Sequence, residues 1–242
     1  MTFRPRTLAP FLLERHQAGM VRTAHGGASR LAPDNTLEAV AAATRFPLDF
    51  VEVDVHLTRD GELLLWHDSW LVTPDGIHEI AAHTLSELRS LKVPDGTLAT
   101  LPDAISAVRG HCGLMIDLKA PALEGPIADV LNAARFQDLV VCGGYQSTLA
   151  ALKARLPDIG VSLTPAPEFY QDFAAGLETV PFIDAVTVYW RAVGPELLQA
   201  AHSAGVLVLA WTVDHGRIAE HVTAQGVHGL TSNSLEILQS LR

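Results

Sequence analysis

The feature that most constrains this chain is a rhythm. Eight short apolar, β-rich runs recur almost from end to end: residues 20–25 (MVRTAH), 50–57 (FVEVDVHL), 114–119 (LMIDLK), 139–145 (LVVCGGY), 159–165 (IGVSLTP), 184–190 (DAVTVYW), 206–214 (VLVLAWTVD) and 228–233 (HGLTSN). Amphipathic stretches separate most of them, among them 34–45 (DNTLEAVAAATR), 122–135 (ALEGPIADVLNAAR), 167–177 (PEFYQDFAAGL) and 216–226 (GRIAEHVTAQG). Several open on Asp, Ser or Pro and stop at Gly, as helix ends do. Strict alternation of this kind predicts an α/β fold with a parallel sheet. Eight units in 242 residues match the size of a closed (β/α)8 TIM barrel, with an open doubly wound sheet as the competing arrangement. One piece breaks the rhythm. Asp60-Gly61 is a hairpin signal, so Glu62–His67 is expected to fold back on the second strand as a short extra strand. Residues 68–100 then read as a loop-rich excursion with one helix over Thr84–Leu91. No shift of composition marks a second domain. The expectation is one domain over 1–242, with 1–19 as an N-terminal extension and 61–100 as an insertion.

Composition enters by exclusion. No run of about 18 uncharged apolar residues is present, so no segment is expected to span a membrane. Pro and charged residues interrupt the first 19 residues, which argues against a signal peptide. The two cysteines, Cys112 and Cys142, form neither a metal spacing nor a disulfide framework and suit a reducing cytoplasm, the expected location. A net charge of −10 disfavours nucleic acid as a partner but leaves a small anionic substrate open.

In a barrel of this kind, chemistry collects where the strands end. His25 ends the first run. Glu52 and Asp54 lie two apart in the second, so both side chains point into the barrel mouth while Val51, Val53 and Val55 point outward. His67 ends the extra strand, Asp117 and Lys119 the third barrel strand, and Trp211 and Asp214 the seventh. Buried carboxylates need partners. Glu52, Asp54 and Asp117 would repel one another unless a cation sits between them, and an all-oxygen set suits Mg²⁺ or Ca²⁺, with Mn²⁺ next, rather than zinc. The plainer alternative is a buried ion network in which Lys119 and nearby arginines neutralise the acids. Two imidazoles flanking such a spot are what an acid–base displacement requires. Lys119 offers a fixed charge for an anion, or simply a counter-ion for Asp117. The other histidines, for example His56, His111 and His202, read as packed or exposed.

Taken in order, AHGGASRLAPDNTLEA, VEVDVHLTRDGELLLWHD, IDLK, AWTVD and GVHGLTSN resemble the successive blocks of the glycerophosphodiester phosphodiesterases, from about residue 22 to the C-terminus. The resemblance implies a TIM barrel that hydrolyses glycerophosphodiesters, small-molecule substrates, to glycerol 3-phosphate and an alcohol with a divalent metal. It implies His25 and His67 as the acid–base pair, with His67 as base and His25 as acid, and Glu52 and Asp54 as metal ligands joined by Asp117. Lys119 would lie on the phosphate and Trp211 in the alcohol or glycerol pocket. Three departures stand out. Gly26 replaces the family's Arg, Asp34 replaces the Glu of its P-E-N-T block, and Asp117 stands where Glu is usual. Asp34 remains a candidate substrate contact. Arg30, and after it Arg191, are the candidates to replace the missing cation. Asp-x-Lys is similar to the sphingomyelinase D relatives, so cyclic-phosphate formation from a lysolipid is the alternative activity. A non-catalytic barrel binding phosphorylated ligands is the alternative from another class. Gly26 and Gly27 are expected to let the chain leave the first strand sharply, with positive φ.

Overall fold

A computed structural model of the chain describes residues 3–6, 9–93 and 97–241. The elements in chain order are α1 (Pro10–Ala18), β1 (Val21–Ala24), α2 (Leu37–Ala43), β2 (Phe50–Leu57), β3 (Leu63–Leu65), β4 (Trp70–Thr73), β5 (Gly76–Glu79), α3 (Leu85–Ser90), α4 (Leu101–Val108), β6 (Gly113–Leu118), α5 (Glu124–Ala134), β7 (Leu139–Gly143), α6 (Gln146–Arg155), β8 (Gly160–Leu163), α7 (Phe173–Thr179), β9 (Ala185–Tyr189), α8 (Pro195–Ser203), β10 (Leu207–Trp211), α9 (Gly216–Gln225), β11 (Gly229–Ser232) and α10 (Leu235–Ser240).

Eight of these strands pair in parallel in the order β1-β2-β6-β7-β8-β9-β10-β11, and β11 returns to β1. The barrel is closed, a (β/α)8 TIM barrel, and every one of the eight apolar runs supplies a stave. β3 pairs antiparallel with β2, Val55 opposite Leu65, as the Asp60-Gly61 turn predicts. Period-two alternation sorts the side chains. Val51, Val53 and Val55 join Ala104, Ile105, Ile127 and Leu131 in the layer between strands and helices. Phe50, Glu52, Asp54 and His56 take the other face, inside the barrel.

The sequence expectation is less complete outside the staves. α1 packs beneath the barrel, where Ala9 and Leu12 join Val21, Phe50, Met115, Val140, Leu207 and Leu209 in a second buried cluster. Gly113 opens β6 without a side chain because a Cβ there would stand 2.5 Å from the Phe11 ring. Each large apolar side chain buried in this way contributes about 1.5–3 kcal/mol. The excursion after His67 carries α3, with Thr84 and Glu87 as a reciprocal capping box, but also the hairpin β4–β5, with Val72 opposite Ile77. The helix expected from Pro167 starts only at Phe173, because Asp172 caps it by accepting from the Ala175 N–H, and a short 3-10 turn fills Pro167–Gln171. No helix among the described residues is long and apolar enough to cross a membrane.

Candidate active site

Barrel register brings the acids together. Asp54 on β2 stands directly beside Asp117 on β6, and Glu52 lies one pleat below Asp54. One carboxylate oxygen from each of the three lies within 4.8 Å of the others. Lys119 Nζ closes the group, 2.8 Å from Asp54 Oδ1 and 2.7 Å from Asp117 Oδ2. Burial works against the charge on Lys119, yet Asp117 and Asp54 outweigh it and hold the ammonium above its ordinary range. Burial pushes Asp117 up, with Lys119 opposing. Glu52 is pushed up furthest, first by burial and then by the charges of Asp54 and Asp117. Both sequence readings of this cluster therefore describe part of it: the ammonium partners two acids directly, and the third remains under like-charge pressure.

The loop after β1 serves these acids. Gly26 and Gly27 adopt φ of 59° and 86°, so the chain turns off the strand as the Gly-Gly pair predicts. The Gly26 N–H then donates to Glu52 Oε2 at 2.8 Å. Asn35 also sits in the left-handed region, φ 60°. Its side-chain amide donates to Asp54 Oδ2 at 2.7 Å while its Oδ1 accepts from the Asp54 N–H at 2.8 Å. Helix α2 starts only after this residue because Thr36 Oγ1 caps it, accepting from the Ala39 N–H at 3.2 Å.

A cavity of about 190 Å³ opens at this end of the barrel, lined by His25, Glu52, His67, Asp117, Lys119 and Trp211 together with uncharged side chains of the inner strands. Six of the predicted site residues thus share one space, and Asp54 adjoins it through the acid cluster. His25 Nδ1 donates to Asn233 Oδ1 at 2.8 Å. Asn233 Nδ2 donates to Asp214 Oδ2 at 2.7 Å, so its oxygen is the atom that faces the imidazole. Burial alone would raise the Asp214 pKa, but hydrogen bonds from Asn233 and Ser232 lower it below the usual carboxylate range. His67 is more exposed. Its Nδ1 lies 2.9 Å from Asp68 Oδ1, and its carbonyl accepts from His56 Nε2 at 3.1 Å.

Asp34 and Arg30 do not line this cavity. Asp34 is exposed beside a neighbouring depression formed with Asn35, Trp66, His67 and Asp68. Arg30 is exposed and acts electrostatically on Asp214. Arg191 stacks over Trp190, 5.1 Å from the ring centroid. Asn35, Asn233, Cys142, Thr187 and Thr231 are the residues that sequence reasoning passed over. Asn35 was within reach, in the Asp34-Asn35-Thr36 block next to a capped helix. Cys142, Thr187 and Thr231 are uncharged strand residues with no local signal, and Asn233 lies just past the end of β11 with none.

A profile of the glycerophosphoryl diester phosphodiesterase family matches residues 25–237. Among curated proteins, a probable glycerophosphodiester phosphodiesterase 1 of Mycobacterium tuberculosis is 39% identical over 79% of this chain and 81% of its own length. A glycerophosphodiester phosphodiesterase of Caldanaerobacter subterraneus is 24% identical over 90% of this chain and 96% of its own. Among solved structures, an Oleispira antarctica phosphodiesterase in complex with the product sn-glycerol-3-phosphate superposes with a TM-score of 0.80 at 26% identity, covering 93% of this chain and 97% of that one. With the family's profile matching from His25, at the end of β1, to beyond Asn233, the chain belongs to the glycerophosphoryl diester phosphodiesterase family.

Proposed function

We propose that the protein hydrolyses glycerophosphodiesters to glycerol 3-phosphate and an alcohol, with His25 and His67 as its acid–base pair. The observation that carries this reading is the meeting of two imidazoles, one ammonium and a carboxylate cluster around a single cavity. The complex of a similar phosphodiesterase with sn-glycerol-3-phosphate supports the choice of ligand.

The acid cluster fits a hard divalent cation. Its donors are all oxygen, they converge, and Glu52 is held under repulsion that a cation would relieve. Glu52, Asp54 and Asp117 would hold the ion, Mg²⁺ or Ca²⁺ by donor type. When bound, it would polarise a phosphoryl oxygen and offset developing negative charge. The remaining work falls to the chain. Lys119 places a fixed positive charge at the phosphate. Asp68 orients His67 through Nδ1, leaving Nε2 to take a proton from the attacking hydroxyl, whether of water or of the substrate's own glycerol. Asn233 holds His25 through Nδ1, so protonated His25 presents its Nε2–H to the leaving alkoxide. Trp211 walls the organic part of the substrate.

The test is a product assay across glycerophosphocholine, glycerophosphoethanolamine, glycerophosphoglycerol and lysolipids, with and without EDTA. Glycerol 3-phosphate should form from the deacylated diesters and cease with EDTA. His25→Ala and His67→Ala should each lower turnover about 10²–10⁴-fold. Ligand binding without turnover in excess Mg²⁺ and Ca²⁺ would replace this reading with a non-catalytic barrel. Cyclic phosphate from lysolipids would replace it with the sphingomyelinase D-like activity.

A further inference from the structure

Two buried polar atoms of the cavity wall have no hydrogen-bond partner among the described residues: the Thr231 hydroxyl and the Trp211 indole N–H. Thr231 is only 3% exposed. A buried hydroxyl left unpaired works against the fold, and native structures rarely keep one without a use. The contrast within the same cavity is direct, because Thr187 shares its hydroxyl with Ser162 at 2.6 Å.

Position gives the orphan atoms a purpose. β10 and β11 are adjacent, with Ala210 beside Leu230, so Trp211 and Thr231 are next-step neighbours on one wall. In the ring of eight strands, β10 lies diametrically across from β6, which carries Asp117 and Lys119. One wall is charged and the facing wall is neutral, with one obligate donor and one hydroxyl able to donate or accept. An anionic phosphate belongs on the first. The second matches the alcohol hydroxyls of whatever the phosphate carries.

We propose that Thr231, paired with the Trp211 N–H, is a specificity-determining residue that recognises the hydroxyl groups of the glyceryl moiety. The proposal rests on the phosphodiesterase reading for its ligand. It assigns to Thr231 a hydroxyl that no described protein group engages and that the substrate does.

The experiment compares binding of sn-glycerol 3-phosphate and propyl phosphate, which lacks both hydroxyls, by calorimetry in Mg²⁺. Thr231→Val keeps the β-branched shape and removes only the hydroxyl. The wild-type preference for glycerol 3-phosphate should shrink about tenfold in Thr231→Val, with propyl phosphate unaffected, and Thr231→Ser should retain it. The ligand-free Thr231→Val protein should melt at the same temperature or higher, because an unpaired buried hydroxyl has gone. An unchanged preference, or equal weakening of both ligands, overturns the proposal. A wild-type protein that binds selectively yet turns over none of glycerophosphocholine, glycerophosphoethanolamine and glycerophosphoglycerol overturns the phosphodiesterase reading and leaves this subsite standing. Turnover with unselective binding does the reverse.

Discussion

His25 and Asn233 are 208 residues apart in sequence and joined by a 2.8 Å hydrogen bond. Asp214 fixes the Asn233 amide from behind, so the imidazole's tautomer is decided by a carboxylate it never touches. Asn233→Ala should free the ring. The expected result is a fall in kcat of about 10–100-fold with KM little changed, the range seen when supporting hydrogen bonds are cut. Steady-state kinetics on one diester checks it. An unaltered kcat would mean that packing alone orients His25.

Glu52 is the acid under most pressure, buried and repelled by Asp54 and Asp117. Gln keeps an oxygen for the Gly26 N–H and removes the ionisable group. Ligand-free Glu52→Gln should therefore be as stable as the parent or more so. Its response to Mg²⁺ should vanish, whereas the parent should gain about 2.7 kcal/mol at a hundredfold excess of ion over Kd. Thermal melts with and without Mg²⁺ distinguish the two. A full Mg²⁺ shift in the variant would remove Glu52 from the ligand set.

Gly26 stands where the family has Arg, and its surroundings oppose any side chain. Its φ is 59° and a Cβ there would lie 2.6 Å from Asp34 Cβ. Gly26→Ala should lose more than the roughly 1–2 kcal/mol of a left-handed L-residue, because the collision adds to it. Gly26→Ala combined with Asp34→Gly should recover the excess. Denaturant melts of the three proteins test this, and a silent Gly26→Ala would show that the loop yields freely. Restoring Arg at this position is thus expected to need a change at Asp34 as well.

At the opposite end of the barrel, His228 packs with His16 and His202 at ring distances of 5.2 Å and 5.0 Å and against Phe3. Its Nδ1 accepts the Val208 N–H at 2.9 Å. Burial, then the neighbouring histidines, depress its pKa from 6.5 to about 3. Above the upper value the group is neutral folded or unfolded and has no effect. Between the two values the unfolded chain takes a proton that the fold refuses. Stability should thus fall on acidification, by about 1.4 kcal/mol per pH unit for this one group, and burial of His16 acts in the same direction. His228→Asn, whose oxygen can accept the Val208 N–H, should flatten the dependence between about pH 7.5 and pH 5.5, above most carboxylate titration. Melting curves across that range decide it, and an equally steep variant would place the effect elsewhere.

What the chain reveals before it is folded follows from how far each signal reaches. The staves are legible because a run such as FVEVDVHL carries its own periodicity, and β3 because Asp60-Gly61 names its turn. The hairpin β4–β5 has a comparable signal in Thr73-Pro74-Asp75-Gly76, but its strands pair only with each other and leave Trp70, Val72 and Ile77 exposed, so no apolar–polar alternation marks them in the sequence. α1 lacks a clean apolar stripe, and its burial under the barrel comes from Phe11 and Leu12 meeting strands far along the chain. In the site, charged residues announced themselves by type and spacing. Asn233 and Thr231 did not, since their neighbours His25 and Trp211 become neighbours only when the barrel closes.

The α1 helix gives the barrel a floor. Met115 lines the bottom of the cavity and shares the cluster beneath it with Leu12 of α1, so the tube is stoppered at one end. A stoppered tube has a single doorway. Substrate must enter, and both fragments must leave, past His25 and His67, and the fragment seated deeper cannot depart until the shallower one has cleared the way. The order of product release is then a matter of depth before it is one of affinity, and the last fragment out should inhibit in competition with fresh substrate.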